Sequence, residues 1–475
     1  MVVRCITSLV AAGLLLAGCA ALRQAADGER PPGWPRQARQ PRAVPMRIAP
    51  LPGRLDGRLV FNSNNPEVVT EPGITLSTWL GPAAGRLDQA FVGRFSVFSH
   101  HIARDVRPGA RLLRLGLLAH NPLSRSVTLR LLQGASWLSQ PDSPFVRLAP
   151  MLPDPAGAIW AGPGDRVATD MLHGRSPLAP TRWVLPPRST RLLLDLPVPT
   201  DVAIPPPVNG RTTMLRLEAS GRVHLSEVAA FAPPDGRGGF GPVSQAAFEA
   251  LLSTGRRAGP AEPPATDYRP DQAAPAGFRY GRVGGVTAGE AWRGQLTRLV
   301  GALAEGQRLG VPISSVHLSR LGTARSQSAP MRVRYAEAAR EGHGNYGVTY
   351  VLDLALHNPD PTPRAYALAL SHPVRVEGKG TAQAAIYLAP PEASVTFRGA
   401  VRVDEPGSRG APPRFTHLVL RRGQELPPFE VVGLAGKATR ALRVTLVYPA
   451  DATPPQLLTV QRLAPAPSPA PARSS

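Results

Sequence analysis

The sequence is poor in cysteine, lysine, aromatic residues and charge. Its 475 residues include 2 Cys. Two cysteines make neither a disulfide framework nor a four-cysteine zinc site. Lysine occurs only at Lys379 and Lys437, so nearly all of the 54 basic residues are Arg. Selection for polyanion binding alone does not remove Lys, whereas GC-rich coding does. The formal charge of +21 is therefore read chiefly as coding bias, although it acts on anionic surfaces whatever its origin. Charged residues make up 18%, below the usual roughly 25%. HExxH, GxSxG, SxxK and P-loop motifs are absent, which leaves no familiar catalytic signature. Basic residues are scattered rather than clustered with aromatics, which argues against nucleic acid.

Proline and glycine are abundant, with 55 Pro and 46 Gly. An interior Pro costs a helix about 3 kcal/mol, so long helices are excluded. The absence of a Gly-X-Y period excludes a collagen-like chain. A hydrophobic fraction of 43% excludes a wholly disordered one.

The N-terminus reads as an export signal. Arg4 precedes the apolar stretch Ile6 to Leu16, which is too short to span a bilayer. Leu16-Ala17-Gly18-Cys19 follows and resembles the lipobox of bacterial lipoproteins at all four positions. The resemblance implies cleavage before Cys19, a diacylglyceryl thioether on its sulfur and an acylated new N-terminus. Cys5 would leave with the signal, so the mature chain would hold no free thiol. Several acyl chains give a stable anchor where one is marginal. Ala20 in place of Asp favours the outer over the inner membrane.

The chain divides into a signal (1–18), a disordered basic tether (19–48), a β domain (49–243), a short helix with a Pro/Ala-rich linker (244–276), a second β domain (277–463) and a disordered tail (464–475). Period-two alternation marks half-buried strands. Leu113, Leu115 and Leu117 show it, as do Leu192, Leu194 and Leu196, Tyr350, Leu352 and Leu354, and Leu442, Val444 and Leu446. The expected fold is mainly β, with two tandem antiparallel β-sandwich domains. Two short helices are expected. One is capped by Ser244 and stopped by Gly255; the other carries Trp292, Leu296, Leu299, Val300 and Leu303 on one face. The halves look duplicated. His120-Asn121-Pro122 matches His357-Asn358-Pro359, and Thr190-Arg191 matches Thr439-Arg440 in the same order.

Candidate chemistry is sparse. His-Asn-Pro reads as a turn device. His100 and His101 are adjacent on a strand and point to opposite faces, so one metal does not easily take both. Asp165, Asp170 and His173 lie in or just after a Gly-Pro-Gly-Asp-Arg loop whose carboxylates could do acid–base work. Gly236 to Gly241 matches GxGxxG only formally, because no second parallel strand follows. Asn62 to Pro66 lacks the carboxylates of a calcium site. No catalytic residue, metal set or cofactor is assigned.

Longer strings resemble one cyanobacterial family of secreted proteins with an uncharacterised domain. They are Phe61 to Glu67, Phe98 to Ile102, Ser139 to Asp142, Ala161 to Arg166 and His343 to Gly347. The resemblance runs from about residue 50 to 463 and implies a cyanobacterial envelope, without catalytic residues. The expectation is an exported, lipid-anchored envelope protein with a non-enzymatic binding or structural role. Its partners would be the membrane, through its lipid, and an envelope polysaccharide or protein. A carbohydrate-binding module, a glycan hydrolase and an assembly subunit are the alternatives.

Overall fold

A computed structural model describes residues 38–79, 85–104, 112–200, 208–268, 272–380, 382–408 and 410–464. The signal, the lipobox with Cys19, residues 19–37 of the tether and residues 465–475 of the tail lie outside them. The fold is mainly β, with 27 strands and three short α-helices among the described residues.

The sheets are mixed rather than purely antiparallel. Leu59–Ser63 runs parallel to Phe91–Arg104, Ala291–Gln295 to Thr349–His357, and Arg47–Ile48 to Arg308–Ile313. Long connections separate each of these pairs, and a parallel pair requires such a crossover. Sequence alternation reports which face is buried and carries no information on direction.

Strand pairing crosses the expected boundaries. Gln40–Pro45 pairs with Ala384–Ala389, and Arg54–Leu55 with Ala291–Gln295. Gly284–Ala288 pairs with Leu59–Ser63. Residues 40–48, expected in the tether, are therefore strands of the later half. Pro41 and Pro45 are tolerated because Gln40–Pro45 is the edge of a three-stranded sheet, where one side of the strand needs no donor. The Pro/Ala-rich segment is likewise held along its first part. Gly259 accepts from Thr70 and Glu71, and Arg256 from Ile74. Arg257 lies 3.3 Å over the Tyr335 ring.

The two halves repeat one pairing order. In the first, Arg182–Leu185, Val127–Leu138, Val208–Phe231, Phe91–Arg104 and Leu59–Ser63 are successive neighbours. In the second, Glu430–Leu434, Arg364–Ser371, Gln456–Arg462, Arg308–Ile313 and Arg47–Ile48 are. Each series is antiparallel until its last pair, which is parallel. The facing pairs, Leu112–His120 with Thr190–Pro199 and Thr349–His357 with Thr439–Val447, also correspond.

The His-Asn-Pro corners repeat atom for atom. Asn121 Nδ2 donates to the carbonyls of Arg125 at 2.8 Å, Leu185 at 3.1 Å and Pro186 at 2.8 Å. Asn358 Nδ2 donates to those of Thr362 at 2.8 Å, Leu434 at 3.4 Å and Ala435 at 2.9 Å. Each Asn Oδ1 also accepts the backbone N–H two residues on, from Leu123 and Asp360. His120 and His357 meet Thr190 and Thr439 at 3.2 and 2.9 Å.

The helix α1 (Pro163–Leu172) forms where a loop was expected. Pro163 suits the first helical turn, where its missing N–H would be unsatisfied anyway, and Asp165 complements the helix dipole. The helix α2 (Gln245–Ser253) starts at Ser244, whose side chain accepts from Ala247 N, and buries Phe248 and Leu252. The second expected helix shortens to α3 (Thr297–Gly301), because Trp292 to Gln295 is a strand. Gly294 explains this. A Cβ there would stand 2.5 Å from Pro52 O, so the early chain crosses directly over it.

Candidate functional site

The residues singled out in the sequence fall into three places. His101 lies in a buried network of the first half. Its Nδ1 faces Pro66 O at 2.8 Å, while Nε2 faces Glu227 Oε2 at 2.9 Å and Ser63 Oγ at 3.0 Å. Thr75 and Ser99 donate to the same carboxylate at 2.9 and 2.7 Å. Burial favours the neutral acid, but His101 and the surrounding hydroxyls outweigh it and hold Glu227 below the usual carboxylate range. Ser63, His101 and Glu227 have the residue types of a hydrolytic triad without its geometry. Serine and acid share one ring nitrogen, whereas a triad needs the acid on the other. His101 is sealed from solvent, at 0% exposure. His100 points elsewhere, to Thr212 Oγ1 at 2.8 Å and Glu67 at 3.8 Å.

Asp165 and Asp170 lie on α1, and His173 is its C-cap, but they do not form one site. Asp165 is wholly buried and meets His417 Nε2 at 2.8 Å while accepting Ala161 N at 2.8 Å. Burial opposes charge on His417, yet Asp165 raises its pKa above the ordinary value. Asp170 accepts Trp137 Nε1 at 2.7 Å and Arg175 at 3.3 Å. His173 stacks on Phe415 at 3.8 Å. Burial, then Arg175, lowers its pKa. The pairing partners Glu227 and His417 escaped sequence reasoning. Their one signal is a charged or titratable residue inside an apolar strand, in Val223 to Phe231 and Phe415 to Leu420.

The place where the halves meet is α1. Its Val167, Ala168, Met171 and Leu172 pack with Phe98, Ala135 and Met214 of the first half and Ala400 and Val447 of the second. Beside it, Met151–Pro153 pairs with Arg414–Arg421. Both segments are insertions between corresponding strands of their halves.

A cleft of about 570 Å³ opens next to this contact. Gln133, Arg216 and the His173 end of α1 form one side, and the outer face of the seven-stranded sheet forms the other. Arg216 bridges the halves. It donates to Gln133 Oε1 at 2.7 Å and Thr349 Oγ1 at 2.9 Å, and its Nε is 3.3 Å from Glu290. Burial pulls this guanidinium below its usual range, and Glu290 opposes that. On the sheet, Arg402 grips Asp404 at 2.7 to 3.0 Å and Arg443 grips Asp353 at 2.7 Å. Among the described residues no three His, Cys, Asp or Glu side chains group to hold a metal.

No curated protein matches this chain. The family described as "Protein of unknown function (DUF3370)" matches residues 46–462. That span includes both pairing series, both His-Asn-Pro corners and the cleft between them, and the chain accordingly belongs to the DUF3370 family.

Proposed function

We propose that the protein is a lipid-anchored component of a cyanobacterial envelope, built from two copies of one β-sandwich unit, that binds a ligand in the cleft between them. The observation that carries the anchor is Leu16-Ala17-Gly18-Cys19, in which the only cysteine beyond the signal stands at the lipidated position. Cys19 precedes the first described strand, at Gln40, by 21 residues. A chain of that length reaches at most about 75 Å, enough to hold the β body clear of a membrane surface. The outer membrane is favoured by Ala20.

The repeated pairing order and the twin corners support the duplication. A binding rather than catalytic role is supported by the titratable groups, whose strongest pairs are committed to one another under the strands. Metabolic labelling with a fatty acid analogue tests the anchor. The wild-type chain should take up label and pellet with membranes, and Cys19→Ser should do neither. Equal labelling of the variant would refute the anchor.

A further inference from the structure

One cross-strand row of the seven-stranded sheet is lined with arginine at both ends. Arg54 is the register partner of Arg293, Arg293 of Val351, Val351 of Thr445 and Thr445 of Arg402. Register partners on neighbouring strands share a face. The intervening residues Trp292, Tyr350, Leu352, Val444, Leu446, Val401 and Val403 are buried in the core beneath, so the row faces outward. Its four inter-strand steps span about 19 Å. Arg54 and Arg293 are exposed and stand side by side. Among the described residues neither side chain has a hydrogen-bond or carboxylate partner, although like charges directly opposite are unfavourable. The close approach of the two backbone segments places the pair side by side. Gly53, at φ +96, and Gly294 let residues 52–54 press against residues 293–294, and a Cβ on Gly53 would fall 1.8 Å from Arg293 O.

Arg293, Val351, Thr445 and Arg402 of this row line the cleft, and Arg54 stands beside Arg293 at its edge. Arg216, Arg402 and Arg443 each meet a carboxylate, namely Glu290 (shared with Arg58), Asp404 and Asp353. Glu405 is held by Arg414 and Arg440. Arg54 and Arg293 are thus the surplus. The floor of Val351, Thr445 and Val447 is uncharged and lies between the halves. A flat bilayer does not reach such a floor, whereas a single polymer strand does. No Trp, Tyr or Phe lines the cleft, which removes the stacking platform that single-stranded nucleic acid uses.

We infer that the cleft binds an anionic polysaccharide, one carrying carboxylate or sulfate groups along its length, with Arg54 and Arg293 as the primary charge contacts. The inference rests on the cleft being the binding site and is independent of the lipid anchor. The test uses the full chain in neutral detergent, with dextran sulfate, neutral dextran and inorganic phosphate as probes. Dextran sulfate should bind, more weakly as salt rises. Arg54→Ser with Arg293→Ser should weaken binding about 10-fold or more and reduce the log–log salt slope by about 1.5 to 2, as expected for two lost counterion-releasing contacts. Arg54→Lys with Arg293→Lys should retain most of the affinity, which separates charge from folding.

Unchanged affinity in the serine variant would overturn the assignment of these residues. Equal binding of neutral dextran, or equally tight phosphate, would overturn the anionic-polymer class while leaving the cleft as a site. Binding of none of the three probes would overturn the cleft reading as well.

Discussion

Glu227 and His417 show how single residues carry charge beneath apolar strands. Each is buried, and the charged form of each is favoured, against burial, by a partner far away in sequence: Glu227 by His101, and His417 by Asp165. Removing one member of such a pair costs about 3–5 kcal/mol, because the other is left buried and uncompensated. Glu227→Ala should therefore lower unfolding stability by that order in urea titration, and a loss under about 1 kcal/mol would contradict the network's role.

The two pairs respond oppositely to pH. The His417 pKa is raised from its ordinary 6.5, so its contribution is full below about pH 6.5 and fades as pH rises through the raised value. The Glu227 pKa is depressed from 4.5, so its contribution is full above about pH 4.5 and fades as pH falls through the lowered value. The stability difference between wild type and His417→Gln should shrink on going from pH 6 to alkaline pH. A difference independent of pH would show that His417 is not charged in the fold. These pairs were illegible in sequence because Asp165 and His417 are 252 positions apart, and no spacing rule connects them.

At the scale of elements, local chemistry was well written in the chain. Ser244 caps α2 as its residue type and the following apolar spacing required. The His-Asn-Pro corners are turns, and each Asn amide is spent on three backbone carbonyls. Asn121→Ala and Asn358→Ala should each cost about 1–3 kcal/mol, the usual penalty for stranding buried polar groups, and by similar amounts because the bonds repeat. Thermal melts of the two variants check this; an effect at one corner alone would count against their equivalence. The elements misread were those set by other elements. Trp292 has helical spacing, but pairing with Thr349–His357 makes it a strand. Gly-Pro-Gly-Asp-Arg has the composition of a loop, but Pro163 also suits the first turn of a helix, which is where it stands. Gly53 belongs here too. With φ +96 and no room for a Cβ, Gly53→Ala should destabilise the crossing over Gly294 by more than about 1 kcal/mol, readable as faster hydrogen exchange in residues 291–295.

At the scale of the molecule, the two halves are not beads on a string. The second half takes Arg47–Ile48 and Gln40–Pro45 from the start of the chain, and the first half's sheet takes Gly284–Ala288 and Ala329–Arg334 from beyond the linker. Period-two alternation predicted strands and their buried faces, yet partner choice between distant strands leaves no mark on local pattern. The duplicated motifs were legible because a repeat preserves side chains that make the same bonds. The exchange of strands was not, because it depends on where each end of the chain is laid. This exchange sets the arginine pair at the edge of the cleft, since Arg54 comes from the early segment and Arg293, which lines the cleft, from the late one. Equilibrium denaturation of the full chain, followed by near- and far-ultraviolet circular dichroism together, tests it most directly. Interleaved halves should give one coincident transition by both probes, and two separated transitions would contradict the account.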